Sequence, residues 1–136
     1  MDWVVDSSMA LAWSLPDETS AKADRFLSRL SAQDALWVPA LWWYEISNAL
    51  VTAQRRRRVT EADRLGLLEL FGKLPLQTDT GLNPEMMWHV QAMAQEHDLS
   101  AYDAAYLELA ARKGLALATL DQRLMTAARD SGVRLA

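Results

Sequence analysis

The segment from Ser100 to Leu124 constrains the fold more than any other part of the chain, because it combines a helix, a tight turn and an apolar strand. The strand candidate, Leu115–Thr119, is apolar on both of its faces, which is typical of a central strand in a parallel sheet. Such a strand must be covered from both sides. The segment therefore indicates a parallel sheet with helices packed on both faces.

Short strands and helices alternate through the remainder of the chain. Trp3–Val5 and Leu36–Val38 are β-prone runs, Pro75–Thr78 is a weaker strand candidate, and Val133–Leu135 is predicted to form the last strand. Apolar spacing and capping residues predict helices at about residues 9–14, 19–32, 40–57, 60–72, 83–97, 101–113 and 121–131. No linker, internal repeat or low-complexity segment interrupts this order. We therefore expect a single doubly wound α/β domain over residues 1–136, with a short parallel sheet flanked by helices.

Composition excludes several kinds of site and partner. The chain has 136 residues, no cysteine and a formal net charge of −4. It therefore has neither disulfides nor thiolate metal ligands, and its charge argues against holding nucleic acid by bulk electrostatics. No run approaches the roughly 18 apolar residues of a membrane span, and the N-terminus lacks the basic start and apolar run of a signal peptide. We expect a cytoplasmic protein with no membrane partner.

The helix that precedes the Leu115–Thr119 strand carries a carboxylate in an unusual position. Tyr102 and Tyr106 lie on the apolar side of this helix. Glu108 and Arg112 mark the opposite side and are predicted to face solvent. Asp103 lies roughly opposite that solvent side, which places its carboxylate on the buried face. A buried charge needs a hydrogen-bond donor, a cation or a bound proton.

Three further carboxylates occur at related positions. Asp6 ends the first strand, Asp121 follows the strand after Asp103, and Glu45 lies at the edge of the inner face of its helix. Ligand sites in open parallel sheets lie beyond the carboxyl ends of the strands, near the point where strand order reverses. If the two strands are neighbours, Asp6 and Asp121 lie side by side. Asp103 and Glu45 then complete a group of four.

Four carboxylates in one cleft repel one another, and a hard divalent cation relieves this repulsion. Oxygen-only ligands suit Mg²⁺ or Mn²⁺, and such sites usually direct metal-activated water at a phosphodiester. Each carboxylate also has a simpler interpretation. Asp6 and Asp121 are suitable caps for the helices that follow them. Asp103 can complete a capping box, and Glu45 can be solvated. Spacing alone therefore leaves a metal site and separate helix caps both open.

Four motifs follow one another along the chain: VVDSS with Asp6, WWYEISNAL with Glu45, LSAYDAAYLELA with Asp103, and LATLDQRL with Asp121. Together they resemble the PIN domain, in particular the VapC-type toxin ribonucleases, over essentially the whole chain. The resemblance implies a Mg²⁺- or Mn²⁺-dependent endoribonuclease, the toxin of a type II toxin–antitoxin pair, with these four carboxylates as its acidic site. It also implies a homodimer, and inhibition by a cognate antitoxin that inserts a segment into the active-site groove.

The resemblance also implies supporting residues, and it has one departure. In the family, hydroxyl residues that match Ser8 and Thr119 often support the acidic cluster. Some members carry a further acidic residue just after the fourth carboxylate, whereas this chain has Gln122 and Arg123. A fifth carboxylate must come from elsewhere or be missing, which bears on whether a second metal ion binds.

A basic run closes the helix that carries Glu45; it consists of Arg55, Arg56, Arg57 and Arg58. Cations at a helix C-terminus complement the helix dipole, so a solvated helix end is one interpretation. The other is a contact with RNA phosphates or with an acidic antitoxin.

Two other functions compete with the nuclease interpretation. The first is a non-catalytic module with the PIN fold that uses its groove to bind a partner, and the four intact carboxylates count against it. The second is a receiver-like signalling domain, which shares the strand-end aspartate. A receiver requires a lysine after a late strand, where this chain has Asp121.

Overall fold

The chain folds around a sheet of four parallel strands, in a computed structural model that describes residues 1–136. The strands are β1 (Asp2–Val5), β2 (Ala35–Pro39), β3 (Leu76–Asp79) and β4 (Ala116–Ala118). Their order in the sheet is β3-β2-β1-β4. The chain moves outward from β1 to β3 and then returns to the other side of β1, so strand order reverses between β1 and β4.

Seven helices flank the sheet, and a short 3₁₀ turn covers Pro16–Glu18. The helices are α1 (Ser7–Ser14), α2 (Ala21–Ser28), α3 (Ala40–Arg55), α4 (Glu61–Lys73), α5 (Pro84–His97), α6 (Ala101–Lys113) and α7 (Gln122–Asp130). This alternation confirms the predicted α/β fold with a short parallel sheet between helices. None of the helices has the length and apolarity that passage through a lipid bilayer requires.

The hydrophobic core covers both faces of β1 and β4. Val4 and Val5 are consecutive residues of β1, so their side chains point to opposite faces, and both are fully buried. Leu117 and Ala118 of β4 are buried in the same way. The prediction that this strand is apolar and covered on both faces is confirmed, but the prediction that it is central was wrong, because β4 lies at one edge of the sheet and only the Leu117–Leu135 bridge lies beyond it.

Local signals explain most helix boundaries. α6 begins where the Ser100 hydroxyl accepts a hydrogen bond from the Asp103 N–H at 3.1 Å, and it ends at Gly114, whose φ of 67° suits glycine. α2 is shorter than predicted, because the Asp34 carboxylate accepts a hydrogen bond from the Ser31 N–H at 2.7 Å. That local bond competes with continuation of the helix. The last strand candidate is reduced to one bridge, between Leu135 and Leu117.

α6 is buried on nearly all sides, and the prediction that Glu108 faces solvent was wrong. The helix packs against α5 and also against β1 and β2, and Glu108 is only 4% exposed. Arg112 makes this burial tolerable, because its Nε donates to Glu108 Oε1 at 2.7 Å while its Nη2 donates to Asp79 Oδ2 at 2.7 Å. Tyr102, predicted on the apolar side, is 69% exposed in the first turn.

Candidate active site

Asp6 and Asp121 lie at the carboxyl ends of neighbouring strands. β1 pairs with β4 in a register that places Val5 opposite Ala118, and the Asp6 N–H donates to the Ala118 carbonyl at 2.9 Å. Asp6 directly follows β1, and Asp121 begins α7 just after β4. Because strand order reverses between these two strands, the aspartates occupy the expected position for a ligand site in this kind of sheet.

The Asp6 carboxylate is held by two hydroxyl groups rather than by a helix. Ser8 Oγ and Thr119 Oγ1 both donate to Asp6 Oδ2, each at 2.8 Å, and Asp6 is 4% exposed. Asp6 occupies the N-cap position of α1, yet its side chain makes no capping hydrogen bond. The interpretation of Asp6 as a simple helix cap was therefore wrong.

The same two hydroxyls connect Asp6 to the loop that carries Asp121. Thr119 Oγ1 accepts a hydrogen bond from the Asp121 N–H at 3.0 Å, and Ser8 Oγ accepts one from the Leu120 N–H at 2.9 Å. Thr119 is 1% exposed. Each hydroxyl thus uses its donor on a carboxylate and its acceptor on the backbone, which fixes the first strand end relative to the last.

Asp121 and Asp103 differ in how far they serve as caps. Asp121 Oδ1 accepts a hydrogen bond from the Leu124 N–H at 2.9 Å, so it does cap α7. The half-buried carboxylate of Asp103 makes no hydrogen bond back to the N–H of Ser100, whereas a complete capping box is present at the start of α4. The Asp103 carboxylate therefore does not complete a capping box on its own helix.

Glu45 is half-buried on α3 and accepts a hydrogen bond from the hydroxyl of Tyr106 on α6. Tyr106 is fully buried. Burial, followed by the hydrogen bond to Glu45, raises the pKa of the Tyr106 hydroxyl far above its usual range. The hydroxyl consequently keeps its proton, and it acts as a donor to Glu45.

Burial and mutual repulsion connect the four carboxylates, which we call the acidic cluster (Asp6, Glu45, Asp103 and Asp121). Burial raises the pKa of Asp6; two hydroxyl hydrogen bonds oppose this rise, and the charge of Asp103 adds to it. Burial also raises the pKa of Glu45, where the charges of Asp6 and Asp103 contribute further. The pKa of Asp103 is raised by burial and then by the charge of Asp121. Asp6, Glu45 and Asp103 thus lie within electrostatic reach of one another, and Asp121 lies within reach of Asp103.

The raised pKa values of the acidic cluster determine how its contribution to stability changes with pH when no cation is bound. A carboxyl whose pKa is raised by folding binds more protons in the folded than in the unfolded state, so stability falls as pH increases. The contribution is fully present below the ordinary carboxyl pKa of about 4. It is lost as pH rises through the higher folded-state pKa values of Asp6, Glu45 and Asp103. Binding of a cation to the charged forms opposes this loss.

The donor chemistry of the acidic cluster suits a hard divalent cation. Asp6 Oδ1 has only a long contact of 3.4 Å from Ser7. Glu45 Oε2 and Asp121 Oδ2 accept no protein hydrogen bond, and the Asp103 carboxylate has only the nearby Ser100 hydroxyl as a partner. No three acidic or histidine side chains lie close enough together to enclose an ion directly. Because Mg²⁺ keeps several of its own waters, the cluster fits a cation held partly through water.

Two residues near the acidic cluster were not identified from the sequence. The sequence places Tyr106 only on the apolar side of its helix. A buried tyrosine hydroxyl usually requires a hydrogen-bond partner, and that requirement was the one indication of a role for Tyr106 beyond packing. Lys22 Nζ on α2 donates to the carbonyl oxygen of Thr119 at 3.2 Å. No sequence pattern indicated that Lys22 reaches the end of β4.

The basic run Arg55–Arg58 lies at the end of α3 that is remote from the strand ends. Arg55 follows Glu45 by ten residues, which places it about 15 Å farther along the helix axis. Arg58 forms ion pairs with Asp17 at 2.6 Å and Glu18 at 3.6 Å, in the turn that follows α1. Arg55–Arg57 are exposed. Any ligand of these arginines therefore binds away from the strand ends.

Comparison with known proteins gives a family and several relatives. A family model described as PIN domain matches residues 3–130. Ribonuclease VapC3 of Pyrobaculum aerophilum is 32% identical over 124 residues, which cover 91% of this chain and 92% of the relative. Ribonuclease VapC9 of Mycobacterium tuberculosis is 36% identical over 130 residues, with coverages of 89% and 87%. The crystal structure of PAE2754 from Pyrobaculum aerophilum matches with a TM-score of 0.69 at 27% identity, covering 93% of this chain and 79% of that one.

Proposed function

This chain belongs to the PIN-domain family, and on that premise we propose that it is a metal-dependent endoribonuclease, the toxin of a type II toxin–antitoxin pair. Relatives that match most of its length are named ribonucleases. What supports the proposal is the acidic cluster, in which carboxylates from separate parts of the chain raise one another's pKa values near the carboxyl ends of β1 and β4. Separate helix caps require no such convergence.

The acidic cluster would hold Mg²⁺ or Mn²⁺. When bound, such an ion activates water as a nucleophile and stabilises negative charge on a phosphodiester. Ser8 and Thr119 fix Asp6 through Oδ2, so that Oδ1 faces few competing donors. Without a cation, the clustered negative charges repel an RNA phosphate, since like charges this close interact strongly even near a protein surface.

Arg123 supplies a positive charge beside the acidic cluster. It is exposed in the first turn of α7 and forms no ion pair. Burial and the charge of Asp121 raise the pKa of Asp103, and Arg123 opposes that rise, so the guanidinium lies near the Asp103 carboxylate. We propose that Arg123 contacts an RNA phosphate. It occupies a position where some family members carry a further acidic residue.

The proposal extends to protein partners and to the place of action. A cognate antitoxin and a second copy of this chain both require exposed apolar surface, and α4 presents Leu65, Leu68 and Leu70 to solvent. A second exposed apolar area lies beside a groove of about 300 Å³ whose lining includes Leu82, Met87 and Tyr102. We propose a homodimer that acts on cytoplasmic RNA and is neutralised by its antitoxin.

Incubation of RNA with the purified protein tests the proposed activity. We expect cleavage at defined positions with Mn²⁺ or Mg²⁺, and none in chelator. Asp6→Asn and Asp103→Asn should abolish cleavage while circular dichroism shows a folded protein, and Asp130→Asn, which changes an exposed carboxylate on α7, should cleave normally. Cleavage that persists in chelator or in both variants would refute the metal-dependent site. A wild-type protein that cleaves no RNA would favour the non-catalytic binding module.

A further inference from the structure

Glu45 is the member of the acidic cluster whose only side-chain partner comes from a different helix. Asp6 is fixed by two hydroxyls, and Asp121 is fixed by its capping bond to the Leu124 N–H. Asp103 lies in the first turn of α6, beside the Ser100 hydroxyl. Glu45 projects from the second turn of α3, and its single hydrogen bond comes from Tyr106 on a different helix. The position of Glu45 therefore depends on a residue outside α3.

Tyr106 follows Asp103 by three residues, so the two side chains lie on the same side of α6 about one turn apart. α6 thus contributes one carboxylate directly and contacts a second through the Tyr106 hydroxyl. The ring of Tyr106 is fully buried among core residues, which restricts its rotamer. The Tyr106 hydroxyl, held in this way, donates its hydrogen bond to Glu45 Oε1.

We propose that Tyr106 is a positioning residue that sets Glu45 against Asp103 for cation binding. The inference rests on the proposed function. Tyr106 occupies Oε1 of Glu45 and leaves Oε2 for the ion. It also orders the Glu45 carboxylate before the ion binds, so less side-chain conformational entropy is lost on binding. Removal of an outer partner of this kind typically weakens metal binding by about tenfold or more.

Tyr106→Phe tests the role of the hydroxyl, because it removes one oxygen and keeps the buried ring. Tyr102→Phe is a matched control on the same helix, since Tyr102 is exposed and makes no hydrogen bond. Melting temperatures are measured in chelator and across a Mn²⁺ titration. Each variant is compared with its own metal-free melt, so a loss of stability caused by the substitution alone does not affect the result.

We expect Tyr106→Phe to need about tenfold more Mn²⁺ than wild type for the same increase in melting temperature. Tyr102→Phe should follow the wild-type titration. In a Glu45→Gln background, where the charged partner is absent, the same Tyr106→Phe change should alter the Mn²⁺ dependence little, because the two residues act as a unit.

Three results would overturn the inference. A Tyr106→Phe titration that superimposes on wild type would make Tyr106 a packing residue only. Tighter Mn²⁺ binding by Tyr106→Phe would show that the hydroxyl competes with the ion for Glu45. An equal effect of Tyr106→Phe with and without Glu45 would show that Tyr106 acts through another group. If wild type itself gains no stability from Mn²⁺, the proposed function fails, and this inference fails with it.

Discussion

Thr119→Val should destabilise the protein, because the Thr119 hydroxyl makes two hydrogen bonds that join the ends of β1 and β4. Thr119 Oγ1 donates to Asp6 Oδ2 at 2.8 Å and accepts from the Asp121 N–H at 3.0 Å, in a residue that is 1% exposed. Valine has nearly the same shape, so no cavity forms. The substitution removes a hydrogen bond to a carboxylate and leaves the Asp121 N–H without its partner.

The magnitude follows from these two contacts. A hydrogen bond to a charged group contributes about 1.5–3 kcal/mol, and an unsatisfied buried N–H costs about 1–3 kcal/mol. Ser8 still donates to Asp6, and Asp121 is only half-buried, so both losses are partial. We expect a loss of about 2–4 kcal/mol. At about 3 °C per kcal/mol for a chain of this size, the melting temperature should fall by roughly 6–12 °C.

Urea and thermal unfolding, each in chelator, measure this loss. Thr126→Val is the control, because the Thr126 hydroxyl is exposed and bonds only to the Gln122 carbonyl within its own helix, at 3.0 Å. That control should change stability by less than about 0.5 kcal/mol. If Thr119→Val were no more destabilising than Thr126→Val, the two hydrogen bonds would not hold the strand ends together, and this reasoning would be refuted.

Three further outcomes are expected. In chelator, the contribution of the acidic cluster to stability should fall as pH rises from about 4 to 7, because folding raises its carboxyl pKa values. Melts across this range should therefore show Asp103→Asn gaining stability relative to wild type, and equal slopes would contradict the cluster. Arg112→Met should lower the free energy of unfolding in urea by about 3 kcal/mol, because it leaves the buried carboxylate of Glu108 unpaired. Adding Glu108→Leu to the same chain should restore part of the lost stability. An Arg112→Met variant as stable as wild type would contradict a stabilising Glu108–Arg112 ion pair. Replacing Arg55–Arg57 by glutamine should leave the melt unchanged and reduce the salt dependence of RNA or antitoxin binding, and an unchanged slope for both ligands would leave these residues as a solvated helix end.

The parts of the fold that depend on local chemistry could be predicted from the sequence. The bounds of α6 follow from Ser100 and Gly114, whose capping roles need no distant contact. The strand-end positions of Asp6 and Asp121 follow from apolar runs that stop at a carboxylate. The sequence did not establish that β1 pairs with β4, because the packing of the whole sheet determines which strands are neighbours.

The parts that depend on packing between distant segments could not be predicted. The hydrogen bond from Tyr106 to Glu45 joins residues 61 positions apart and requires α3 and α6 to lie together. The helical wheel of α6 placed Glu108 in solvent because it assumes one wet side, whereas this helix is covered on nearly all sides. The ion pair with Arg112 allows an acidic residue to occupy such a position, and no periodicity reveals it.

Direct measurement of Mn²⁺ binding by isothermal titration calorimetry tests the central claim that four carboxylates form one cation site. The proteins compared are wild type and the single variants Asp6→Asn, Glu45→Gln, Asp103→Asn and Asp121→Asn, with Asp130→Asn as the control. We expect saturable binding by wild type and by the control, and weaker binding by each of the four cluster variants, since each removes a charged oxygen that would hold the ion directly or through its bound waters. Wild-type affinity in all four cluster variants, or no binding by wild type, would contradict the claim.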